Sequence, residues 1–208
     1  MGRRKRRNKQ PDKQRDGGTT QTAPREEIVP WRQRARELVR RLRDFARDRA
    51  GTEIEVYLRR RFGEEASTIP VAELERAFDD YVCAPGTPED GRSLVRMFAE
   101  ETEDLDAEER RYLPLWESER QRGVYLLDRA HRDQLQLWDP LRADRVTMQL
   151  LERLPRGRVA GLERGTVVLA TSAPMGPRVV ALGEIELYQG DDAIQLFRQE
   201  VRDQGRVW

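Results

Sequence analysis

Along the chain, apolar positions first fall into a regular pattern at Trp31. Trp31, Ala35, Leu38, Leu42 and Phe45 recur at alternating intervals of four and three, with Val39 and Ala46 beside them. This spacing predicts an apolar stripe on a helix of about 20 residues, stopped by Gly51. The other face is basic, with Arg32, Arg34, Arg36, Arg40, Arg41, Arg43 and Arg47. The next segment, Glu53 to Phe62, fits helix or strand. Pro70, at a first helical position, opens a second amphipathic stretch with Val71, Leu74, Ala77, Phe78 and Tyr81 on one face. Ala84 to Pro88 breaks the chain, and Leu94, Val95 and Phe98 mark a third helix. Asp106 with Glu109 three residues on has the form of a capping box for a fourth. Pro114 should kink or end that helix. The N-terminal half therefore reads as four or five short helices.

After Gly123 the apolar period falls from about 3.6 residues to about 2. Five strands are predicted: Val124–Arg129, Gln134–Asp139, Arg145–Leu151, Thr166–Thr171 and Arg178–Tyr188. In the third, Val146, Met148 and Leu150 share one face, and Arg145, Thr147 and Gln149 the other. In the fifth, Ile185 and Leu187 alternate with Glu184 and Glu186, but before Gly183 both registers are apolar. A bulge at Gly183 would let Val180 and Leu182 join the inward set. Turn signals recur between the strands, at Asp139-Pro140 and at Ala173 to Pro177. Most gaps are too short for a parallel crossover, so the expectation is an antiparallel meander or small β-barrel. A last helix follows Gly190, capped by Asp191 or Asp192, with Ile194, Phe197 and Val201 on one face and Gly205 as its stop. The fold class is thus α+β. Residues 1–27 form a disordered basic arm and linker, 28–121 a helical region, 122–189 the β-meander or barrel, and 190–208 the C-terminal helix.

Charge alters this picture at one end. The 208 residues hold 39 Lys and Arg against 38 Asp and Glu. Residues 1–16 alone carry Arg3, Arg4, Lys5, Arg6, Arg7, Lys9, Lys13 and Arg15 against Asp12 and Asp16, a net +6, which leaves −5 on the remainder. The arm has no apolar residue between Met1 and Ala23, so it has nothing to bury against the entropy of ordering. A secretory signal would need an apolar stretch of about 7–15 residues, and a membrane span one of about 18. Neither is present, which points to the cytoplasm and to no membrane partner.

The stretches Pro114-Leu115-Trp116, Gly123-Val124-Tyr125 and Arg164-Gly165-Thr166 resemble a group of uncharacterised bacterial proteins. In these a charged helical region precedes a short β-meander, and some carry a C-terminal SEC-C zinc motif. The resemblance covers about residues 70–188 and implies an α+β fold without an activity. This chain departs from the zinc-bearing members, because Cys83 is its only cysteine.

Candidate chemistry is sparse. His131, the single histidine, lies in a predicted hairpin turn, and no serine sits in a Gly-x-Ser-x-Gly elbow. Cys83 follows the apolar face that ends at Tyr81 and Val82, as a buried inert thiol does. No phosphate-binding glycine loop occurs. Glu100, Glu101, Glu103, Asp104, Asp106, Glu108 and Glu109 form an acidic run without the spacing of a calcium loop. It reads as a solvated face, or as a partner for the basic helix face. No catalytic, cofactor or metal residue is assigned.

The arm is the feature with a direct physical consequence. Closely spaced cations attract polyanions, since each neutralised phosphate releases counterions. Trp138, in phase with Gln134 and Gln136 and opposite Leu135 and Leu137, adds a stacking surface if it is exposed. The expected function is a non-catalytic accessory role. Its candidate partner is RNA or DNA, held non-specifically and in a salt-dependent way through the eight basic arm residues and Trp138. Two alternatives remain open: a protein-interaction module acting through the sheet and acidic helix, and a small enzyme with a carboxylate-based site.

Overall fold

The computed structural model of the chain describes residues 28–63, 68–86 and 91–203. The basic arm, from Arg3 to Arg15, and the expected stop at Gly205 lie outside these residues. Helix α1 (Ile28–Phe62) is followed by α2 (Val71–Cys83), α3 (Leu94–Glu101) and α4 (Ala107–Tyr112). A 3₁₀ turn at Leu113–Leu115 leads into α5 (Trp116–Glu119). The strands are β1 (Gln121–Ala130), β2 (Gln134–Asp139), β3 (Asp144–Leu150), β4 (Val167–Met175) and β5 (Arg178–Tyr188). Helix α6 (Arg156–Ala160) lies between β3 and β4, and α7 (Asp191–Asp203) follows β5. The architecture is α+β, as the change of period predicts.

Gly51 does not stop the first helix. The backbone departs from helical angles one residue earlier, at Ala50 (φ −140°, ψ 29°), and resumes to Phe62. Buried Ala46, Ala50 and Ile54 continue one inward face across the break, so packing holds together two helices that propensity would separate. The capping box is present as expected. Asp106 Oδ1 accepts from Glu109 N at 2.7 Å, and Glu109 Oε2 accepts from Asp106 N at 3.0 Å. Pro114 sits in the 3₁₀ turn, where its missing N–H leaves no gap in a helical ladder. At the end of the ring, Asp191 begins α7 rather than capping it.

The strands close on themselves in the order β1-β2-β3-β5-β4. The all-antiparallel expectation is corrected at one pairing. β3 and β5 run parallel, with Met148, Gln149 and Leu150 opposite Val179, Val180 and Ala181. Alternating directions cannot run all the way round a ring with an odd number of strands, so one parallel pair is unavoidable. Residues 151–177, which include α6 and β4, supply the crossover that such a pair needs.

The bulge at Gly183 is present. Its φ is +74°, and the β4–β5 register slips between Leu169 and Thr171. Its consequence differs from the expectation. Ala181 and Ile185 face the ring interior, whereas Val180 and Leu182 point outward into the helical core. Both registers are apolar because both faces of β5 are covered there. For the same reason β4 extends to Met175, past the expected turn at Ala173. The Pro174 carbonyl accepts a hydrogen bond of 2.8 Å from Nε1 of the buried Trp116.

Candidate nucleic-acid interface

Helices cover only part of the ring's outside. The N-terminal helices pack against β4 and β5, and α7 packs against β1 and β4. Under α7, Val124, Val167, Leu169 and Ala193 form a small separate core. The outer face of β2 and β3 is left to solvent. Inside the ring, Tyr125, Leu127, Leu135, Leu137, Met148 and Val168 fill the space with side chains.

β2 alternates as the sequence predicts. Leu135 and Leu137 are fully buried in the ring, while Trp138 points out and is 38% exposed. The turn after it is braced from below. Asp139 is buried, and its Oδ1 accepts from Leu141 N at 2.9 Å and Arg142 N at 3.2 Å. Ala143 completes the turn at φ 54°, a left-handed conformation that alanine seldom adopts. A tight, hydrogen-bonded hairpin thus sets the indole's position.

The pairing register shows what surrounds Trp138. Its direct neighbours across the ladders are Leu126 on β1 and Arg145 on β3. One row along, Gln136 lies between Arg129 and Thr147. One row further, Gln149 Nε2 donates to Gln134 Oε1 at 3.1 Å. A slip in register at Asp128 lets Arg129 share the outward face. Arg145 thus stands directly opposite Trp138 and Arg129 one diagonal step away, a spacing of roughly 7–8 Å that long side chains can span. Beside Trp138 is a hollow of about 230 Å³ that includes Leu126, Asp128, Leu137, Arg145 and Arg164. It is smaller than the roughly 300–1,000 Å³ of ordinary ligand pockets, a size suited to one flat ring.

Among the described residues, the guanidinium groups of Arg129 and Arg145 meet no carboxylate within 4.0 Å, although Arg145 N donates to Asp144 Oδ1 at 2.7 Å. The basic face of α1 is different, because its charges are already paired. Arg34 binds Asp106 and Glu109, Arg41 binds Asp104, and Arg49 lies 3.9 Å from Glu101. Arg43 reaches Asp79 at 2.8 Å, and Arg40 bridges Glu37 and Asp44. The acidic run is therefore solvent-exposed for most of its length and at the same time pairs with α1 through Glu101, Asp104, Asp106 and Glu109. Burial alone would lower the Arg43 pKa, but the hydrogen bond and charge of Asp79 outweigh it and raise it.

The other candidate groups fall outside this surface. Cys83 is buried, and desolvation pushes its thiol pKa up to about 12, which keeps it protonated and unreactive. His131 is exposed at the β1–β2 turn, its N–H donating to Gln134 O at 2.9 Å. Among the described residues no three His, Cys, Asp or Glu side chains gather closely enough to hold a metal. None of their helices is long and apolar enough to cross a membrane. Sequence reasoning placed Arg145 on the outward face but did not join it, or Arg129, to Trp138. The hairpin signal at Asp139-Pro140 would have paired Trp138 with Arg145; the slip that turns Arg129 outward has no sequence signal. Compared with family models, curated proteins and solved structures, the chain matches none.

Proposed function

We propose that the protein is a non-catalytic accessory factor that binds RNA or DNA. Residues 1–16 neutralise phosphates, and the β2–β3 face receives an unpaired base. One observation carries this reading: on the outer face of β2 and β3, which no helix packs against closely, the exposed Trp138 stands beside Arg145 and Arg129, whose guanidinium groups have no carboxylate within 4.0 Å among the described residues. An exposed indole flanked by guanidinium groups suits base stacking with adjacent phosphate contact. The connectivity supports the location. Five-stranded Greek-key rings of the OB type present the strand 2–3 face to oligonucleotides and oligosaccharides, and fold-level likeness gives a place to look rather than an activity. The large apolar residues left exposed, such as Val56, Val71, Val179 and Ile194, come from separate elements, so no observation favours a protein-docking patch.

The test is binding of a labelled 12-nucleotide single strand across a salt series. Trp138→Ala should weaken binding about tenfold, the lower part of the range for one stacked base, with the chain still folded. Deleting residues 1–16 should flatten the slope of log affinity against log salt by several units. Equal affinity of intact and arm-deleted chains at ~0.1 M salt rejects the role of the arm. Unchanged affinity of Trp138→Ala rejects that of the sheet.

A further inference from the structure

A second cavity lies where the helical half meets the ring, away from Trp138. Helix α1 contributes Val39 and Arg36, the segment after β3 contributes Leu151 to Pro155, and β5 contributes Ala181 and Ile185. Its volume is about 440 Å³, within the range of small-molecule sites, which favour the seams between structural units. Leu150, Leu154, Ala181 and Ile185 are buried and give it an apolar base.

Its rim is cationic and only partly neutralised. Arg36 pairs with Glu152 at 3.0 Å, but the two side chains are 48% and 78% exposed, so the pair is easily exchanged. Glu75 is held by Arg43 at 3.3 Å. Arg153 and Arg158 have no carboxylate within 4.0 Å among the described residues, and the remaining carboxylate of the rim, Glu184, is solvent-exposed. Nearby, Arg32 is 5% exposed and its Nη1 is buried with no hydrogen-bond partner among the described residues. Desolvation lowers its pKa most; Asp133 opposes that, and Arg153, Arg178 and Arg36 lower it further. Four arginines border the cleft itself: Arg36, Arg43, Arg153 and Arg158.

We propose that this cleft binds a small amphipathic anion, a carboxylate or phosphate carried on an apolar body. The body lies against Leu150, Leu151, Leu154 and Ile185, and the anionic group meets Arg153 and Arg158. The chain's own N-terminal arm does not fit, because its charge has the same sign as the rim. Neither Trp138 nor the arm takes part, so this site stands whether or not the chain binds nucleic acid.

The experiment titrates the full chain with 8-anilinonaphthalene-1-sulfonate, followed by fluorescence. N-phenyl-1-naphthylamine, a similar apolar body without the sulfonate, is the comparison. The expected result is one saturable site for the sulfonate, displaced by octanoate, with the uncharged probe at least about tenfold weaker, as charge-assisted contacts require. Arg153→Ala with Arg158→Ala, both at exposed positions, should weaken the sulfonate about tenfold without unfolding the chain. Leu151→Trp should block the site. Equal binding of the two probes, or undiminished binding by the double arginine variant, overturns the proposal. So does displacement of the sulfonate by the 12-nucleotide strand, which would make the cleft part of the nucleic-acid surface.

Discussion

The helical half and the ring use the same residue, arginine, in opposite ways. Residues 28–120 hold 17 arginines against 22 carboxylates, and residues 121–190 hold ten against eight. Of the eleven arginines on α1, ten have a carboxylate within 4.0 Å among the described residues. Of the ten in the ring segment, only Arg122, Arg142 and Arg164 do. A guanidinium already matched to a carboxylate offers little to a phosphate, since binding must first break the existing pair. Density of arginine in sequence is thus a poor guide to where a polyanion binds, and the unmatched fraction is a better one. On that measure the candidate surface moves from the arginine-rich helix to the sheet.

The sharpest way to break this contrast is at Arg32, where one side chain joins both regions. Its Nε donates to Leu150 O at 3.1 Å, and its Nη2 donates to Asp133 O at 3.1 Å and to Gln149 Oε1 at 3.2 Å. Three acceptors on the ring thereby hold α1 against the ends of β2 and β3. Arg32→Ala should cost about 3 kcal/mol in urea unfolding, because it removes charge-assisted bonds from a site closed to water. A loss below about 1 kcal/mol would mean that the apolar core alone fixes the seam.

The next test exchanges the regions' roles. Arg129→Glu with Arg145→Glu should weaken single-strand binding by tenfold or more at ~0.1 M salt and leave the melting temperature nearly unchanged, because neither guanidinium has a carboxylate partner among the described residues. Arg34→Ala should do the reverse. It takes the ion pair from Glu109, which is 6% exposed, and loosens the capping box of α4. A destabilisation of about 1 kcal/mol with unchanged affinity is expected. Equal effects of the two changes on binding would erase the distinction.

How much of this was legible in the sequence follows from the range of the interactions. The capping box at Asp106, the alternation of β2 and the bulge at Gly183 are local patterns, and each is readable from a few neighbouring residues. The parallel β3–β5 pair is set by ring closure, and the outward turn of Val180 and Leu182 by the helices that cover β5. Neither cause lies within a short window. The candidate site divides in the same way: Trp138 announces its exposure by phase, but Arg129 becomes its neighbour only through a slip in register. The saturation of α1 by the acidic run depends on pairs more than 50 residues apart, such as Arg41 with Asp104.

Arg41 offers the finest test of that saturation. It is half-buried, pairs with Asp104, and lies over the Phe98 ring with its guanidinium carbon 5.9 Å from the ring centre. Asp104 is 72% exposed, so water and salt screen the pair, and the aromatic contact adds little at this distance. Arg41→Ala should therefore cost no more than about 0.5 kcal/mol, less than Arg34→Ala, because no buried carboxylate is orphaned. Arg41→Glu separates packing from charge. By setting a carboxylate against Asp104 it should destabilise more than alanine at low salt, and the difference should shrink by ~0.5 M salt as screening shortens. If single-strand affinity also fell with Arg41→Ala, paired arginines would be contributing to binding, and the unmatched fraction would lose its value as a guide.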